Sequence, residues 1–268
     1  MNQKIGFIGA GNMGGALAAA AVKGAVPENV FLSDKAAALA QKKAEALGCQ
    51  VCDTNQVAME CGMIFLGVKP QVLPALMEEI GGILAARQDD FVLVSMAAGV
   101  AIENIRKMAG KDYPVIRIMP NIPVSVGSGM ILYDATENVT DTMLQRFQDA
   151  MREAGRVDRL PEQLIDAGSA LSGCGPAFAC MFAEALADGA VACGLSRDKA
   201  LVYGAQTLLG TAKLLLESGQ HPGQLKDAVC SPGGSTIEGV RALEQNGFRG
   251  SVLEAVEAAF RRTKELGK

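Results

Sequence analysis

The chain has 268 residues, of which 49% are hydrophobic and 20% charged, and its formal net charge is −4. This composition excludes a disordered chain, and the interspersed charges form no basic face, so we expect no binding of nucleic acid or of a membrane. The seven cysteines are irregularly spaced, unlike a disulfide framework. Because the N-terminus has no signal-peptide layout, we expect a cytoplasmic protein.

The first 135 residues alternate short apolar, β-branched segments with alanine-rich helical segments. Continuous apolar strands separated by helices predict an α/β fold whose mostly parallel sheet is covered on both faces. The predicted strands span, in chain order, residues 4–10, 30–34, 63–68, 91–96, 115–119 and 130–133.

A glycine-rich motif follows the first predicted strand and consists of Gly9, Ala10, Gly11, Asn12, Met13 and Gly14. Gly9 permits a tight turn, Gly11 lets the backbone approach a pyrophosphate, and Gly14 allows close packing of helix against strand. Because the motif joins a buried strand to a helix, it predicts a Rossmann-type dinucleotide-binding domain. The alternative is a glycine-rich turn that binds no nucleotide.

The ribose end of a dinucleotide is predicted to lie near Asp34, which ends the second strand. A carboxylate there favours the ribose hydroxyl of NAD, whereas the flanking Ser33 and Lys35 are able to hold the 2′-phosphate of NADP, so the preference stays open. Three further loops follow predicted strands at the edge where open α/β sheets bind ligands, which favours a nicotinamide cleft. They are Val68-Lys69-Pro70, Ala97-Ala98-Gly99 and Met119-Pro120-Asn121.

Beyond about residue 160, every predicted element is a helix. Residues 164–194 are apolar almost all round and 195–219 carry an apolar stripe, and such helices are buried by neighbours or by another subunit. A capping box that begins at Ser251 predicts a last helix over 251–265. We therefore expect a Rossmann domain over 1–160, an all-helical domain over 161–268, and at least a dimer.

A second glycine-rich loop, Cys230 to Thr236, precedes a predicted helix at 237–245. Two adjacent glycines at a helix start direct several backbone N–H groups to one point, where a carboxylate would fit. The alternative is that Ser235 or Thr236 only caps the helix.

Candidates for metal or redox chemistry are few. His221 is the single histidine. It precedes a proline at a helix start, so we expect a structural role and no metal site. Cys49 and Cys52 have no second pair and no thioredoxin-like surroundings, so we expect unpaired thiols rather than zinc ligands or a redox pair.

With both loops identified, the chain closely resembles the Δ1-pyrroline-5-carboxylate reductase family over nearly its whole length. The resemblance rests on residues 5–9, 11–14, 68–70, 97–100, 117–121, 171–173, 175–177, 220–223 and 225–227, and most specifically on 227–237. It implies a Rossmann domain and a helical dimerisation domain, with the active site between them and partly across the interface. It also implies homodimers or pentamers of dimers, and hydride transfer from NADPH, or NADH, to the substrate's C=N bond, giving L-proline.

The resemblance further implies roles for individual residues. The substrate loop falls on Val229, Cys230, Ser231, Gly233, Gly234, Ser235 and Thr236. In that loop the backbone of 233–235 suits the carboxylate and the Thr236 hydroxyl suits the imine nitrogen. Cofactor positions carry over to Gly9, Ala10, Gly11, Asn12, Met13, Gly14, Ser33, Asp34, Lys35, Asn55, Val68, Lys69, Pro70 and Ala97. The sequence departs from many relatives at Cys174 and Phe178, where those have Ser or Gly and Tyr.

Two other functions are weighed against this one. The β-hydroxyacid dehydrogenases also join a Rossmann domain to a helical domain, but their catalytic lysine would fall here on Ala179. A non-catalytic dinucleotide sensor would have no need for the loop at 232–236. An imine is already electrophilic, so its reduction needs orientation and a hydrogen bond to nitrogen more than a strong acid. The proton source stays open between Thr236, a water, and protonation of the substrate in solution.

Overall fold

The structure, a computed structural model, describes residues 4–266, so residues 1–3 and 267–268 of the two predicted domains lie outside the described part. The described strands are β1 (Ile5–Ile8), β2 (Val30–Ser33), β3 (Gln50–Val51), β4 (Met63–Leu66), β5 (Val92–Ser95), β6 (Val115–Pro120), β7 (Gly129–Ala135) and β8 (Gly155–Arg159). They form one sheet in the order β3-β2-β1-β4-β5-β6-β7-β8. Within it only β6 and β7 pair antiparallel. The predicted α/β fold with a mostly parallel sheet is therefore confirmed.

Six helices are interleaved with the strands and six follow them. The first six are α1 (Asn12–Gly24), α2 (Ala37–Leu47), α3 (Thr54–Glu60), α4 (Leu73–Ala86), α5 (Ile102–Ala109) and α6 (Asp141–Met151). The others are α7 (Glu162–Ser172), α8 (Gly175–Ala192), α9 (Arg197–Ser218), α10 (Pro222–Ala228), α11 (Ser235–Gln245) and α12 (Phe248–Leu266). Three short 3₁₀ turns, Pro27–Asn29, Ile122–Val126 and Arg152–Ala154, complete the described elements.

Apolar helices cover both faces of the sheet, which explains why the central strands are mostly apolar. Every residue of β1, β4, β5 and β6 is buried. One face packs on α1, α2 and α6, and the other packs on α3, α4 and α5. Across neighbouring strands, the rings of Phe7 and Phe65 stack with their centroids 4.3 Å apart. Strands enclosed in this way need no polar face.

The chain divides into two compact units, residues 4–174 with 259–266, and residues 175–258. The first unit contains the whole sheet, α7 and the last turns of α12. The second contains α8 to α11 and most of α12. The proposed domain boundary after residue 160 stays a prediction.

The predicted helical segment 164–194 is interrupted. Helix α7 ends at Ser172 and α8 begins at Gly175. Because Pro176 has no N–H, it cannot donate to the carbonyl of Ser172 four residues earlier. That carbonyl instead accepts the side-chain amide of Asn121 at 2.9 Å, and the Asn121 Oδ1 accepts the Met130 N–H at 2.8 Å.

The predicted helix start at Ser251 is wrong. Helix α12 begins at Phe248, directly after Gly247, whose φ of +70° ends the preceding helix. Ser251 lies within α12, where its hydroxyl donates to the carbonyl of Gly247 at 3.2 Å. The centroid of the Phe248 ring lies 5.6 Å from that of Phe182, so the first residue of α12 is packed against α8.

A buried ion-pair network joins α7 to the sheet. Arg117 on β6 has a 4% exposed side chain and donates to Glu162 at 3.1 Å and to Asp166 at 3.0 Å. Glu162 also accepts the N–H of Ile102, the first residue of α5, at 2.7 Å. In turn, the Asp134 carboxylate accepts the N–H of Glu162 at 2.8 Å. This network fixes the end of the loop that connects β5 to α5.

The second unit has almost no core of its own. Within residues 175–258 only Ala187, Ala200 and Gly204 are buried. Its exposed large apolar side chains include Met181, Leu201, Val202, Tyr203, Leu209, Leu214, Leu216, Val252 and Leu253. Apolar helices of this kind are stable when another subunit covers them.

Candidate active site

The glycine-rich turn lies between β1 and α1, and two of its glycines are required by close packing. Gly9 has a φ of +107°, and its N–H donates to the Ser33 carbonyl at 2.8 Å. A Cβ on Gly9 would overlap the carbonyl of Gly67, and one on Gly14 would overlap the carbonyl of Gly9. These contacts hold the start of α1 against the ends of β1 and β4.

The space in front of α1 is open. Gly11 is the N-cap residue without a side-chain cap, and a Cβ built on it would meet nothing within 4 Å. Gly11 therefore supplies no side-chain acceptor to the first N–H groups of the helix, such as those of Asn12 and Met13. Free N–H groups at a helix N-terminus fit a pyrophosphate, both as donors and through the helix dipole.

The end of β2 brings several predicted cofactor residues to one cavity of about 470 Å³, lined by Ser33, Asp34 and Asn55 among others. Asp34 accepts the N–H of Ala10 at 2.7 Å and that of Ala36 at 2.9 Å. Both of its oxygens thus bind the backbone. Ser33 is buried, with its hydroxyl 2.9 Å from that of Thr54.

Lys35 is exposed beside this cavity, although it does not line it. Its neighbour Asp34 holds the glycine-rich turn in place, a role that its spacing from the motif does not predict. Lys35 is exposed and is the cation of this pair, so the 2′-phosphate contact stays a prediction for the lysine.

The remaining predicted cofactor residues follow β4 and β5, which pair in parallel. Val68 and Pro70 are half-buried, Lys69 is exposed, and Ala97 is buried. Strand β1 lies between β2 and β4, and the strand order runs outwards from β1 in both directions. Open α/β sheets bind their ligands at this switch point, where the glycine-rich turn and residues 68–70 both lie.

In the second unit, the loop between α10 and α11 presents an uncapped helix start. The N-cap residue of α11 is Gly234, without a side-chain cap, so the capping alternative for Ser235 and Thr236 is not observed. Gly233 has a φ of +67°, and the Gly234 N–H donates to the Ser231 carbonyl at 3.0 Å. The exposed backbone of this loop is open to a small anion.

The other residues of the predicted substrate loop are accessible as well. Val229 is 64% exposed and Cys230 is half-buried. Thr236 is exposed as the second residue of α11, and within residues 4–266 its hydroxyl has no hydrogen-bond partner. It is therefore free to contact a bound molecule.

The histidine and the cysteines have structural environments. His221 caps α10: its Nδ1 accepts the Gly223 N–H at 3.1 Å and its own N–H donates to Gln224 at 3.2 Å. All seven cysteines are free thiols. Burial raises the pKa of Cys52 to about 11 and that of Cys61 to about 12, so both stay protonated at neutral pH. Among the described residues no group of three or more His, Cys, Asp or Glu is arranged to hold a metal ion.

One residue near the glycine-rich turn is not predicted from the sequence. Lys43 on α2 donates to the carbonyl of Gly11 at 2.8 Å. It lies 32 positions from Gly11 in the sequence, next to the exposed Lys42. No sequence motif marks it.

Comparison with known proteins identifies the family of this chain. Residues 162–266 match the family model described as pyrroline-5-carboxylate reductase dimerisation, and residues 4–99 match that of NADP oxidoreductase, coenzyme F420-dependent. Pyrroline-5-carboxylate reductase 3 of Macaca fascicularis is 39% identical over 99% of this chain and 97% of its own length. The chain belongs to the pyrroline-5-carboxylate reductase family.

Solved structures of this family share the fold over the whole chain. A pyrroline-5-carboxylate reductase from Coxiella burnetii is 32% identical, with a TM-score of 0.91 over 100% of both chains. The pyrroline carboxylate reductase of Plasmodium falciparum, determined with NADP bound, is also 32% identical, with a TM-score of 0.87 over 100% of this chain and 99% of that one. The family and fold class predicted from the motifs are confirmed, and the sheet unit is an NADP-binding domain.

The matched dimerisation region explains an apolar stretch that is otherwise ambiguous. Residues 162–192 are long and apolar enough, by length and composition, to cross a membrane. They lie within the dimerisation region and include the interruption between α7 and α8. We therefore assign this stretch to subunit contacts in a homo-oligomer of a soluble enzyme family.

Proposed function

We propose that this chain reduces Δ1-pyrroline-5-carboxylate to L-proline with NADPH as the preferred reductant. The observation that carries the proposal is the uncapped start of α11, which presents backbone N–H groups beside a free Thr236 hydroxyl. A dinucleotide-binding domain alone fits many oxidoreductases. A separate site for a small carboxylate, in a chain of this family, fits the reduction of a cyclic imino acid.

The chain's own residues bind and orient the reactants. The first N–H groups of α1 hold the cofactor's pyrophosphate, and Lys35 binds its 2′-phosphate. The backbone of residues 233–235 holds the substrate carboxylate, and the Thr236 hydroxyl donates a hydrogen bond to the imine nitrogen. When bound, the reduced nicotinamide supplies a hydride. The imine carbon gains that hydride and the nitrogen gains a proton, so the C=N bond becomes a C–N bond.

The test is the loss of nicotinamide absorbance when purified protein meets Δ1-pyrroline-5-carboxylate, run in parallel with NADPH and NADH. We expect oxidation with NADPH, and the ratio of the two kcat/KM values gives the cofactor preference. Cofactor binding without turnover on any imine would favour the dinucleotide sensor. Oxidation of a β-hydroxyacid would favour the other enzyme class, although Ala179 supplies no base for it.

Replacing Asp34 tests whether it binds the ribose or only the backbone. In Asp34→Ala the N–H groups of Ala10 and Ala36 lose their acceptor, so the glycine-rich turn is less well held. Since a lost charge-assisted hydrogen bond costs about 1.5–3 kcal/mol, we expect KM to rise roughly tenfold for both NADPH and NADH. Steady-state kinetics with each cofactor measures this. A rise for NADH alone would show that the carboxylate binds the ribose hydroxyl.

We propose that the homo-oligomer is at least a dimer, with a pentamer of dimers as the larger form, and that the protein is cytoplasmic. The exposed apolar residues of α9 support the first point, and seven free thiols suit a reducing compartment. We expect light scattering at micromolar concentration to give at least twice the chain mass, and Leu209→Glu to lower it towards the monomer. A monodisperse monomer of the parent protein would contradict the proposal.

A further inference from the structure

The contact between Lys43 and the glycine-rich turn lies next to the predicted pyrophosphate site. The Lys43 Nζ is 2.8 Å from the carbonyl oxygen of Gly11, which also accepts the N–H of Gly15 at 2.9 Å. Side chains of a helix point towards its N-terminus, so a lysine on the second turn of α2 reaches the sheet edge where α1 begins. Both elements belong to the first compact unit.

The peptide that Lys43 contacts also carries a donor for the cofactor. In a trans peptide the C=O and the following N–H point in opposite directions. The Gly11 carbonyl points towards Lys43, so the Asn12 N–H of the same peptide points away from it, out of the start of α1. An ammonium on the carbonyl oxygen fixes the orientation of this peptide and makes its N–H a stronger donor.

Gly11 is a position where such fixation matters. A Cβ on this residue would meet nothing within 4 Å, so packing alone does not restrain it. Glycine also has more backbone freedom than any other residue. Among the described residues no carboxylate forms an ion pair with Lys43, so its charge is not neutralised before an anion binds.

Gly15 provides the space that Lys43 occupies. It is buried inside α1 with a helical backbone, so no unusual φ requires a glycine there. A Cβ at this position would overlap the Lys43 Nζ. Glycine is less favourable than alanine inside a helix, and here the missing Cβ leaves room for the Lys43 Nζ over α1.

We propose that Lys43 is a positioning residue for the cofactor's pyrophosphate, which it assists by orienting and polarising the Asn12 N–H and by adding a positive charge nearby. The proposal rests on the proposed NADPH binding. It assigns a cofactor role to a side chain outside the glycine-rich motif.

The first experiment measures the Kd of NADPH by nicotinamide fluorescence, without substrate. In Lys43→Met we expect the Kd to rise about tenfold, because the pyrophosphate loses a nearby positive charge and the oriented Asn12 donor. Lys43→Arg keeps the charge and should stay within about threefold of the parent. The matched control is Lys42→Met, which removes the same charge from the exposed neighbour and should leave the Kd unchanged.

Steady-state kinetics separates a positioning role of Lys43 in cofactor binding from general damage to the enzyme. Because the proposed role of Lys43 concerns cofactor binding alone, Lys43→Met should raise KM for NADPH while kcat at saturation stays within about twofold of the parent. The loss should shrink at high salt, since a charge contribution is screened. If Lys43→Met lowered kcat about tenfold and left the NADPH Kd unchanged, the proposal would be overturned. It would also be overturned if Lys42→Met raised the Kd as much as Lys43→Met does.

The second experiment removes the space instead of the lysine. Gly15→Ala displaces the ammonium while improving helix propensity, so we expect a raised NADPH Kd without loss of thermal stability. In the Lys43→Ala background the same change should have no further effect on the Kd. Additive effects would show that Gly15 acts independently and would contradict the inference. Because all these readings are of cofactor binding, they stand even if the substrate proves to be a different imine.

Discussion

Gly11→Ala is expected to raise the Kd of NADPH about 100-fold while the protein folds normally. The new methyl group meets no atom of the chain within 4 Å, so the folded state has room for it. The methyl would occupy the open space in front of α1, where the pyrophosphate must approach the backbone most closely. A hundredfold loss corresponds to about 2.7 kcal/mol of binding free energy.

Gly14→Ala is the matched control because it changes the same motif in a place where there is no room. Its Cβ would overlap the carbonyl of Gly9 and push α1 away from the turn. Such overpacking typically costs about 1–3 kcal/mol, so we expect a lower melting temperature together with weaker binding. Gly11→Ala should shift the melting temperature by no more than about 3 °C, the cost of a poorer N-cap residue.

Fluorescence titration and thermal unfolding of the two variants decide between these roles. If Gly11→Ala bound NADPH as tightly as the parent, the pyrophosphate would not lie at the start of α1. If both variants lost stability equally, Gly11 would be a packing residue and the open space in front of it would have no function.

The central strands and the glycine-rich turn could be predicted because their causes are local. Strands buried on both faces are apolar throughout, and Gly9 and Gly14 stand where the backbone of β1 and β4 leaves no room for a side chain. In contrast, β8 was missed because it lies at the edge of the sheet and carries Arg156, Asp158 and Arg159. Charged residues are typical of edge strands and hide the apolar pattern.

The backbone contacts of Asp34 and Lys43 could not be predicted because they join segments that are distant in the sequence. Asp34 stands at the expected position for a ribose ligand, yet its two oxygens bind the N–H groups of Ala10 and Ala36. Nothing in the spacing predicts these backbone contacts, and the ribose contact stays a prediction. Pro176 indicates an interruption before α8, but the hydrogen bond from the Asn121 amide to the Ser172 carbonyl depends on the folded sheet.

Thr236→Ala is expected to lower kcat about 100-fold, the low end of the effect of a positioned proton-transfer group. In the parent the hydroxyl is exposed at the start of α11, with no partner inside the described chain, so it is free to contact the imine nitrogen. The carboxylate site consists of backbone N–H groups, which the substitution keeps. KM for the substrate should therefore change much less than kcat.

Thr236→Ser is the control that keeps the hydroxyl and removes only the methyl group. It should retain kcat within about threefold of the parent, because the hydrogen bond to nitrogen is preserved. Parallel measurements of kcat and KM at saturating NADPH compare the two variants. A Thr236→Ala rate within about twofold of the parent would assign the proton to water or to prior protonation of the substrate. The chain would then act only by orienting the reactants. An iminium formed in solution needs no proton from Thr236, only the neighbouring backbone site that binds its carboxylate.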